Sequence, residues 1–534
     1  MAHQPFTRSG IPLRPYYSGE GRACEATSPG EYPYTRGRQA APAPGGGWIQ
    51  RELSGEGSPQ QSNAQLKYLI AESQSGIDVI GDSPTMALLD ADHPLAAGTV
   101  GTQGVSLCCK ADYLALFHDL PLGEISVSSS VPALFAVTGL YVAARAMGVQ
   151  PARLRGSALQ APFYAEHCGY AMHMPFDLRV RLTADVMQFC AAEMPKFHSF
   201  LEDTYFFAES GLDAVEEMAL GFLEIRHLVR ELLRRGVPVD RFAPRIAILV
   251  DCGMDFFEEI AKIRATRRLF ARMMREEFGA EDPRSWAVVI SSHTSGLALT
   301  AQQPVNNVVR GALQALALVL AGVQALEVSA FDEAYRTPSP ESHRVALRTQ
   351  QVIALETGVT RVVDPLGGSH YVEALTDEME TRIRARLQEL EALGPPAELS
   401  DRGWFLNHFR AAMERRQRQV SQGEIPVVGV NTLVLPAPQD TLLREVSTRK
   451  AGPAVERVAA IQALKSGRAA GPVREHLRAV WAAARRPGEN LVPAVIAATE
   501  ADCTMGEIAG TLRQAYGWAY DPWGQVPPVL EAGP

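Results

Sequence analysis

The stretch FAPRIAILVDCGMDFFEEIAKIRATR, residues 242–267, decides the fold that the sequence predicts. Its first part holds a short run of apolar and β-branched residues, 245–251, which is typical of a buried strand. After a short turn, apolar side chains recur at intervals of three and four from residue 256 to residue 277, as they do along one face of a helix. The stretch therefore predicts a strand that leads through a short turn into a helix.

The same unit of strand then helix recurs along most of the chain. Eight strands are predicted, at residues 76–81, 124–128, 155–160, 197–205, 245–251, 286–291, 325–330 and 359–363. Helical segments between them are predicted at residues 131–147, 182–193, 211–235, 256–277 and 306–320. This alternation predicts an α/β protein of the (β/α)₈ TIM-barrel class, although a doubly wound parallel sheet gives the same local pattern.

The two ends of the chain differ from this repeat. Residues 1–47 are rich in Gly, Pro and Tyr and end in APAPGGG, which predicts an extended N-terminal arm. We place the TIM-barrel substrate domain at residues 48–400 and a C-terminal helical extension, or connector, at 401–534. Helical segments past the last predicted strand lie at residues 374–393, 404–422, 455–464, 472–484 and 503–516.

Composition limits the classes of function open to the chain. Its 534 residues carry a formal net charge of −9 and are 46% hydrophobic, which indicates a large core and no basic surface for nucleic acid. No apolar leader and no run of about 18 apolar residues occurs, so we expect no membrane span and a cytoplasmic location. The cysteines lack disulfide or metal-ligand spacing, which predicts reduced thiols and no metal site; they are Cys24, Cys108, Cys109, Cys168, Cys190, Cys252 and Cys503.

Several segments of the repeat resemble the methylmalonyl-CoA mutase family and keep one order over most of the chain. They are YPYTRG (32–37), DADHPLAAGTVGTQGV (90–105), the strand with ISVS (125–128), residues 242–267, TSGLALTAQQPVNNVVRGALQALALVLAGVQAL (294–326), FDEA (331–334), TGVTRVVDPLGGSHYVEALT (357–376), IPVVGVN (425–431) and GEIAGTLRQAYG (506–517). On these segments the chain is identified as a member of that family.

The resemblance implies a barrel through whose axis the pantetheine tail of coenzyme A passes. It also implies adenosylcobalamin as the cofactor, held against the barrel by a flavodoxin-like module. The DxHxxG signature of that module does not occur in this sequence. We therefore expect a separate small cobalamin-binding subunit and a hetero-oligomer.

Positions that in the family lie against the corrin or the adenosyl group are largely kept. The resemblance assigns them to Gly55, Arg181, Glu209, Gly296, Gln324 and Glu333. Arg181 has a second implied role, as a bidentate clamp for a substrate carboxylate. Arg179, two residues earlier, leaves the register open, and a surface arginine is the alternative for Arg181.

Positions that in the family face the substrate are often changed. Leu53 stands where the family has a tyrosine over the substrate, and Phe206 where a histidine meets the thioester carbonyl. Histidine, asparagine and glutamine are replaced by Ser291, Ser329 and Leu159, respectively. Further substrate contacts are assigned to Ser126, Ser128 and Ser157 in the segments ISVS and RGSALQ.

His293 and Tyr205 complete the implied catalytic set together with Arg181. Tyr205 is kept from the family, whereas His293 replaces a glutamine at the C-terminal end of a predicted strand, the barrel face at which active sites assemble. Because Phe206 cannot donate a hydrogen bond, we expect His293 to supply the donor for the thioester oxygen. A packed histidine without contact to substrate is the alternative.

The thiol that carries the acyl group stays open at this level. RQAAPAPGGG follows YPYTRG, so the arm lacks the tyrosine and arginine with which relatives hold the CoA nucleotide. Lys262, Arg264 and Arg267 lie along one predicted helix and are expected to contact phosphates, with a solvated helix face as the alternative. An acyl-CoA is expected, while a carrier-protein thioester or a free acid also fits the altered arm.

Two functions compete on the sequence. One is the large subunit of a cobalamin-dependent mutase, an isomerase that catalyses a radical 1,2 carbon-skeleton rearrangement of an acyl thioester other than methylmalonyl-CoA. The other is a noncatalytic mutase-like partner subunit with a role in assembly. Leu53 and Phe206 favour the second function, whereas Glu209, Glu333 and TSGLALTAQ (294–302) favour the first.

Overall fold

The computed structural model describes residues 5–18, 27–43, 47–168, 172–447 and 452–530. Within this part, the cysteines whose side chains are described are free and buried, as predicted; they are Cys108, Cys109, Cys190, Cys252 and Cys503. Cys24 and the side chain of Cys168 lie outside the described residues.

Nine strands in the described part of the chain belong to one parallel sheet. They are β1 (Ile49–Arg51), β2 (Leu53–Ser54), β3 (Gly76–Val79), β4 (Ser126–Ser129), β5 (Arg155–Gln160), β6 (Phe197–Asp203), β7 (Ile246–Cys252), β8 (Val289–Thr294) and β9 (Ala325–Glu327). Their order is β1-β9-β8-β7-β6-β5-β4-β3-β2. Only Glu52 separates β1 from β2 in sequence, so these two ends of the order are halves of one interrupted strand. Eight strand positions result, which is the topology of a (β/α)₈ barrel.

Helices alternate with the strands and continue after them. Over the described residues they are α1 (Pro59–Ala71), α2 (Ser83–Met86), α3 (Lys110–Phe117), α4 (Ala133–Ala146), α5 (Ala165–Cys168), α6 (Phe176–Glu193), α7 (Tyr205–Glu209), α8 (Ala214–Arg234), α9 (Val239–Phe242), α10 (Phe256–Arg272), α11 (Pro283–Trp286), α12 (Asn306–Ala321), α13 (Pro340–Leu355), α14 (His370–Ala392), α15 (Pro396–Asp401), α16 (Trp404–Ser421), α17 (Thr441–Ser447), α18 (Val455–Gly467), α19 (Ala470–Ala484), α20 (Val492–Glu500) and α21 (Met505–Ala515). The helices from α16 to α21 form the predicted C-terminal helical region.

The strand and helix of residues 242–267 show why this sequence folds as it does. Every residue of β7 is buried, as is usual for a parallel strand that is covered on both faces. The helix α10 is then buried on all sides from Glu258 to Arg268, and it continues beyond Arg272 as one π-helical turn, Met273–Glu277.

One predicted strand is wrong. Residues 359–363 do not pair with the sheet; Val359–Arg361 is a short 3₁₀ turn that follows Gly358, whose φ of 75° turns the backbone. Val362 is 57% exposed, so the apolar residues that suggested a strand do not enter the core. The missing strand position is filled by β1 and β2, which were hidden because Arg51 and Glu52 interrupt the apolar pattern.

The chain divides into two compact units, which interleave along the sequence. Unit 1 comprises Met1–Glu52, Glu202–Leu233 and Pro238–Arg449, and unit 2 comprises Leu53–Leu201, Arg234–Val237 and Lys450–Pro534. In unit 1, β1, β9, β8 and β7 pair in that order. In unit 2, β2 to β5 pair in sequence order, and α4, α6, α19, α20 and α21 pack around an apolar core. The domain boundaries at residues 47 and 400 remain predictions.

No helix within the described residues is both long enough and apolar enough to span a lipid bilayer.

Candidate functional site

Four ionisable residues lie side by side where the strands of unit 1 end. Asp251 on β7 pairs in register with His293 on β8, His293 pairs with Glu327 on β9, and Glu327 pairs with Arg51 on β1. Neighbours in register project to the same face of a sheet, and all four residues are buried. We call these four residues the charged row. Its position at the carboxyl ends of parallel strands is the one at which barrel active sites form.

His293 occupies the middle of the charged row. Its Nδ1 lies 3.7 Å from Oε2 of Glu327, which is an ion-pair distance. The ring of Tyr205 meets the imidazole edge-on, with 5.1 Å between the ring centroids. The structure thus brings together two of the three predicted catalytic residues, His293 and Tyr205.

Glu209, at the end of α7, is held by the loop that follows β8. The Ser295 hydroxyl donates to its Oε1 over 2.6 Å and the Leu297 N–H donates over 3.1 Å. Burial raises the pKa of Glu209, and these two hydrogen bonds act against that rise. A Cβ added to Gly296 would lie 3.1 Å from Oε2 of Glu209 and 3.3 Å from the Tyr205 hydroxyl. Gly296 therefore keeps a small space open between these two polar groups.

Glu333 lies in the segment that follows β9. Its Oε1 accepts a hydrogen bond from the Ala330 N–H over 2.7 Å, and burial raises its pKa to about 7. Ser329, in the same segment, donates through its N–H and its hydroxyl to Thr294 at the end of β8. The predicted positions Glu333 and Ser329 therefore adjoin the ends of β8 and β9.

The sequence analysis missed several ionisable groups of this site. Burial raises the pKa of Asp251 well above its usual value, and nearby Glu209 adds to the rise. Burial likewise raises the pKa of Glu52, with further contributions from Glu327 and Glu333. One signal was present in the sequence, since an acidic residue closes the apolar runs IAILVD and QALE at their carboxyl ends.

Two arginines that the prediction did not include also neighbour Glu209. The charges of Arg416 on α16 and of Arg8 in the N-terminal arm act against the rise in the pKa of Glu209 that burial causes. Arg8 is anchored in unit 1, because its N–H donates to Asp255 and its guanidinium donates to the Leu212 carbonyl. Part of the predicted arm therefore contributes a charge to the site.

One buried atom of the charged row points to a polar ligand. Among the residues that the structure describes, Oδ1 of Asp251 has no hydrogen-bond partner. An unsatisfied buried acceptor destabilises the fold unless water or a ligand donates to it. This oxygen is therefore a candidate acceptor for a ligand that carries hydroxyl or N–H groups.

The basic residues predicted to bind phosphate are engaged inside unit 1. Lys262 pairs with Glu217 over 2.7 Å and with Glu259 over 2.6 Å. Arg264 pairs with Asp364 and Glu373, and Arg267 donates to the carbonyls of Tyr34 and Thr35. All three side chains are buried, which also rules out the solvated helix face. The spacing was misleading because this helix surface is covered by α14 and the arm.

Three further predicted site residues of unit 1 do not lie together; they are Phe206, Ser291 and Gln324. Phe206 is half-buried on α7 and its ring contacts Tyr205, with 5.7 Å between centroids. Ser291 is buried in β8, two residues before His293. Gln324 precedes β9 and exchanges hydrogen bonds with Ile290 at the start of β8, so it lies at the opposite edge of the strands from the charged row.

Gln324 instead lines a pocket of unit 1. This pocket has a volume of about 640 Å³, including its open mouth, and is also lined by Arg36, Arg38 and Gln39. Arg36 is paired with Asp364 at 3.5 Å, and Arg38 donates through Nε to the Ala287 carbonyl. The position predicted for cofactor contact is thus near the arm and not near Glu209.

In unit 2, the predicted substrate positions, and Gly55, which was predicted to contact the cofactor, are apolar or small. Ser128 on β4 and Ser157 on β5 share a hydrogen bond of 2.9 Å between their hydroxyls. Ser126 begins β4, Leu53 begins β2, and Gly55 follows β2 with a φ of 156°, where a Cβ would lie 2.4 Å from the Ile80 carbonyl oxygen. Leu159 is buried at the end of β5.

Arg181 and Arg179 have different surroundings in unit 2. The Arg181 guanidinium donates to the carbonyls of Ala483, Ala484, Arg486 and Glu489 and to the Tyr516 hydroxyl. Arg179, with Leu159, lines a largely apolar pocket of about 510 Å³, including its mouth. Of the two registers left open, the structure places Arg179 at a pocket and Arg181 against the C-terminal helices.

Comparison with known proteins gives one consistent result. The family model described as methylmalonyl-CoA mutase matches residues 6–518. The 2-hydroxyisobutanoyl-CoA mutase large subunit of Aquincola tertiaricarbonis is 35% identical over 492 residues, which cover 92% of this chain and 87% of the relative. The methylmalonyl-CoA mutase of Rhizobium meliloti (strain 1021) is 34% identical, with 96% and 72% covered, and the methylmalonyl-CoA mutase large subunit of Streptomyces virginiae is 34% identical, with 96% and 71% covered.

Proposed function

The chain belongs to the methylmalonyl-CoA mutase family, and from that premise we propose that it is the large subunit of an adenosylcobalamin-dependent isomerase. The family and its relatives support a mutase large subunit that acts on an acyl-CoA. The reaction we propose is a 1,2 carbon-skeleton rearrangement of the acyl group. The cofactor, when bound, supplies the radical that starts rearrangements of this class.

The charged row is the observation that carries this proposal. Its buried, ionisable side chains lie at the carboxyl ends of β7, β8 and β9, where barrel enzymes place their reactive groups. His293 would donate a hydrogen bond to the thioester oxygen, and burial of the surrounding groups would keep water from the reaction.

Glu209, Glu333 and Gly296 fit the adenosyl group. Carboxylates accept hydrogen bonds from hydroxyls of the kind that a ribose carries, and Gly296 keeps a space beside Glu209. The buried Oδ1 of Asp251 is a further acceptor in the same cluster. We expect these residues to hold the adenosyl group while a separate small subunit holds the rest of the cofactor, in a cytoplasmic hetero-oligomer.

The acyl group is proposed to be branched, and methylmalonyl-CoA to be a poor substrate. Leu53 and Phe206 provide apolar surface where the resemblance places two polar side chains, which suits a branched chain better than a carboxylate. The Aquincola tertiaricarbonis relative is named for a branched hydroxyacyl-CoA, so 2-hydroxyisobutanoyl-CoA is the first substrate to test. The pocket with Arg36 and Arg38 supports a phosphate-bearing carrier such as CoA.

The alternative, a noncatalytic partner subunit, draws its support from Phe206. This residue adjoins Tyr205 and has no group that can donate to a thioester. In that case the charged row would have only a structural role, and no small subunit would confer turnover on the chain.

An absorption and turnover experiment separates these functions. The full chain is mixed with a candidate small cobalamin-binding subunit and adenosylcobalamin, and spectra are recorded with and without branched acyl-CoAs. We expect the chain alone to retain no cobalamin after dialysis and the mixture to isomerise a branched acyl-CoA. Turnover of methylmalonyl-CoA at rates of roughly 1–1,000 per second would refute the substrate proposal, and no turnover with any acyl-CoA would favour the partner subunit.

A further inference from the structure

A buried cluster of three ionisable side chains lies next to the end of β7. Lys262 on α10 donates through Nζ to Oε2 of Glu217 on α8 over 2.7 Å, and Oε2 of Glu259 lies 2.6 Å from the same nitrogen. All three side chains are at most 5% exposed. We call Glu217, Glu259 and Lys262 the buried cluster. None of them belongs to the charged row or to the residues proposed to hold the adenosyl group.

The buried cluster holds the backbone at the point where β7 ends. The Lys262 Nζ also donates to the Asp251 carbonyl over 2.7 Å. The Asp251 N–H donates to Oε1 of Glu217 over 3.3 Å, and the Gly253 N–H donates to Oε1 of Glu259 over 3.0 Å. Each member of the cluster therefore binds a different backbone group of this short stretch.

Glu217 also joins the end of β7 to the end of the neighbouring strand. The hydroxyl of Thr204, which follows β6, lies 3.0 Å from Oε1 of Glu217. At the turn after β7, Gly253 approaches Glu259 so closely that an added Cβ would lie 3.0 Å from its Oε1. The buried cluster is thus packed against the strand ends and leaves their backbone little freedom to move.

Stability alone does not explain such a cluster. Removing charged groups from water destabilises the fold, and apolar side chains of similar volume are often as stable or more stable in their place. An ionic cluster does, however, hold backbone N–H and carbonyl groups in defined positions, since each of its hydrogen bonds has a preferred direction. Its effect on residues 251–253 is then the property that accounts for its presence.

Asp251 is the residue that the buried cluster fixes. Its side chain is in register with His293 and projects to the same face of the sheet. Within the described residues, its buried Oδ1 has no hydrogen-bond partner. The backbone of Asp251 is thus held firmly while one oxygen of its side chain stays available to a ligand, which is the arrangement that a preorganised binding group requires.

We propose that Glu217, Glu259 and Lys262 are positioning residues, which hold Asp251 so that its Oδ1 accepts a hydrogen bond from a hydroxyl of the adenosyl group. The choice of this ligand rests on the proposed function, in which Glu209, a neighbour of Asp251, contacts the same group. An acceptor that is fixed before the ligand arrives loses less conformational entropy on binding.

Hydrogen exchange of the full chain alone tests whether the cluster holds the backbone. In Lys262→Met we expect the amides of Asp251 and Gly253 to exchange about 10- to 100-fold faster than in the wild type, the factor that loss of a hydrogen bond to a charged group gives. The double variant Glu259→Met with Lys262→Met removes opposite charges together, which keeps the fold even if the single variant unfolds, and should show the same change at Gly253. Unchanged exchange at both amides in the double variant overturns the proposal.

Arg268→Met is the matched control. It removes a buried cation from the same helix, α10, where Arg268 pairs with Asp377 and Glu380 on α14. We expect a similar loss of stability in urea denaturation, with exchange at Gly253 unchanged. Equal acceleration in Arg268→Met and Lys262→Met would reveal a general loosening of α10 and would overturn the positioning role.

Cobalamin binding by the assembled enzyme tests the use of Asp251. Adenosylcobalamin and methylcobalamin differ in their upper ligand, and of the two upper ligands only the adenosyl group has hydroxyls. In the double variant and in Asp251→Ala we expect the affinity for adenosylcobalamin to fall by about 10-fold or more and that for methylcobalamin to stay as in the wild type. An equal fall for both cofactors, or a raised KM for the acyl-CoA with unchanged affinity for adenosylcobalamin, overturns the assignment.

The two experiments separate failure of this inference from failure of the proposed function. If the assembly binds no cobalamin and turns over no acyl-CoA, the proposed function fails, and hydrogen exchange still decides whether the cluster holds Asp251. If turnover occurs but exchange at Asp251 and Gly253 does not respond to the variants, the mutase function stands and the positioning role falls.

Discussion

The strands of unit 1 and of unit 2 end in different chemistry, although both units repeat the same strand and helix. In unit 1, β7, β8 and β9 place Asp251, His293 and Glu327 side by side in a buried row. In unit 2, β4 and β5 carry Ser128 and Ser157, which bond to each other, and Leu159. The ionisable groups with unusual surroundings are therefore concentrated on one set of strands.

This difference indicates that the two units have different roles, one chemical and one structural. Buried charges destabilise a protein unless partners compensate for them, so their retention in unit 1 is best explained by a reaction. The hydroxyls of Ser128 and Ser157 in unit 2 satisfy each other, and this contact has a sufficient explanation in stability. Substitution of Arg181 in unit 2 should therefore alter the free energy of unfolding, and substitution of His293 in the charged row of unit 1 should alter turnover.

Arg181→Ala should give the largest effect and tests the structural side of this division. The substitution removes five donated hydrogen bonds to the C-terminal helices, and we expect the free energy of unfolding to fall by about 3–5 kcal/mol in urea denaturation. Arg486→Ala, at an exposed arginine that pairs with Glu489, is the matched control and should change stability by less than about 0.5 kcal/mol.

The same variant addresses the predicted catalytic role of Arg181. If Arg181→Ala keeps normal stability but loses turnover, the result supports the predicted role of Arg181 as a carboxylate clamp. It would then contradict the division of roles between the two units.

His293→Ala tests the chemical side. We expect turnover of the true substrate, with the cobalamin partner present, to fall by about 100-fold or more while thermal unfolding stays unchanged. His293→Gln restores the residue usual in the family and keeps a donor, so its loss should be smaller. A wild-type rate in His293→Ala would remove this residue from the mechanism.

Glu333→Gln should have the smallest effect, which appears in the pH dependence of stability. Burial raises the pKa of Glu333 from 4.5 to about 7, so the folded chain holds this proton over a pH range in which the unfolded chain has lost it. The stability that this provides is complete below about pH 4.5 and is lost as the pH rises through 7.

Denaturation at pH 5 and pH 8 measures this effect. Glu333→Gln cannot lose the proton, so its unfolding free energy should fall less over this range than that of the wild type, by on the order of 1–2 kcal/mol. Glu424→Gln, at an exposed position, should behave like the wild type. An equal fall in all three proteins would show that Glu333 ionises normally.

Much of the fold follows from local patterns. The strand predicted at residues 155–160 is β5, and the helix predicted at 404–422 is α16, one residue shorter. Patterns failed where charge and apolarity were misleading: Val362 is apolar but exposed, whereas β1 and β2 are half-buried or buried although they flank Glu52. A strand identified by alternation or apolarity is missed when function places charges in it.

Less of the site than of the fold could be predicted from the sequence. Family positions led to His293, Tyr205, Glu209 and Glu333, which the structure brings close to the ends of β7, β8 and β9. Glu327 was missed because its relation to His293 depends on the register between two strands, which no spacing in the sequence reveals. The ion pairs of Lys262 were missed for a similar reason, since the partners of this lysine lie on α8 and on its own helix.

The early position of β1 in the chain has a consequence for biogenesis. Its pairing partner, β9, is separated from it by about half of the chain, so a nascent polypeptide exposes β1 as a free edge until nearly all the other strands have been synthesised. Such distant pairings form slowly and leave strand edges open to other chains. Arg51 and Glu52 place two charges in or beside this unpaired strand. Charges on a strand edge discourage its association with other nascent chains. The residues that obscured the strand from pattern analysis would thus also protect it while the protein is being made.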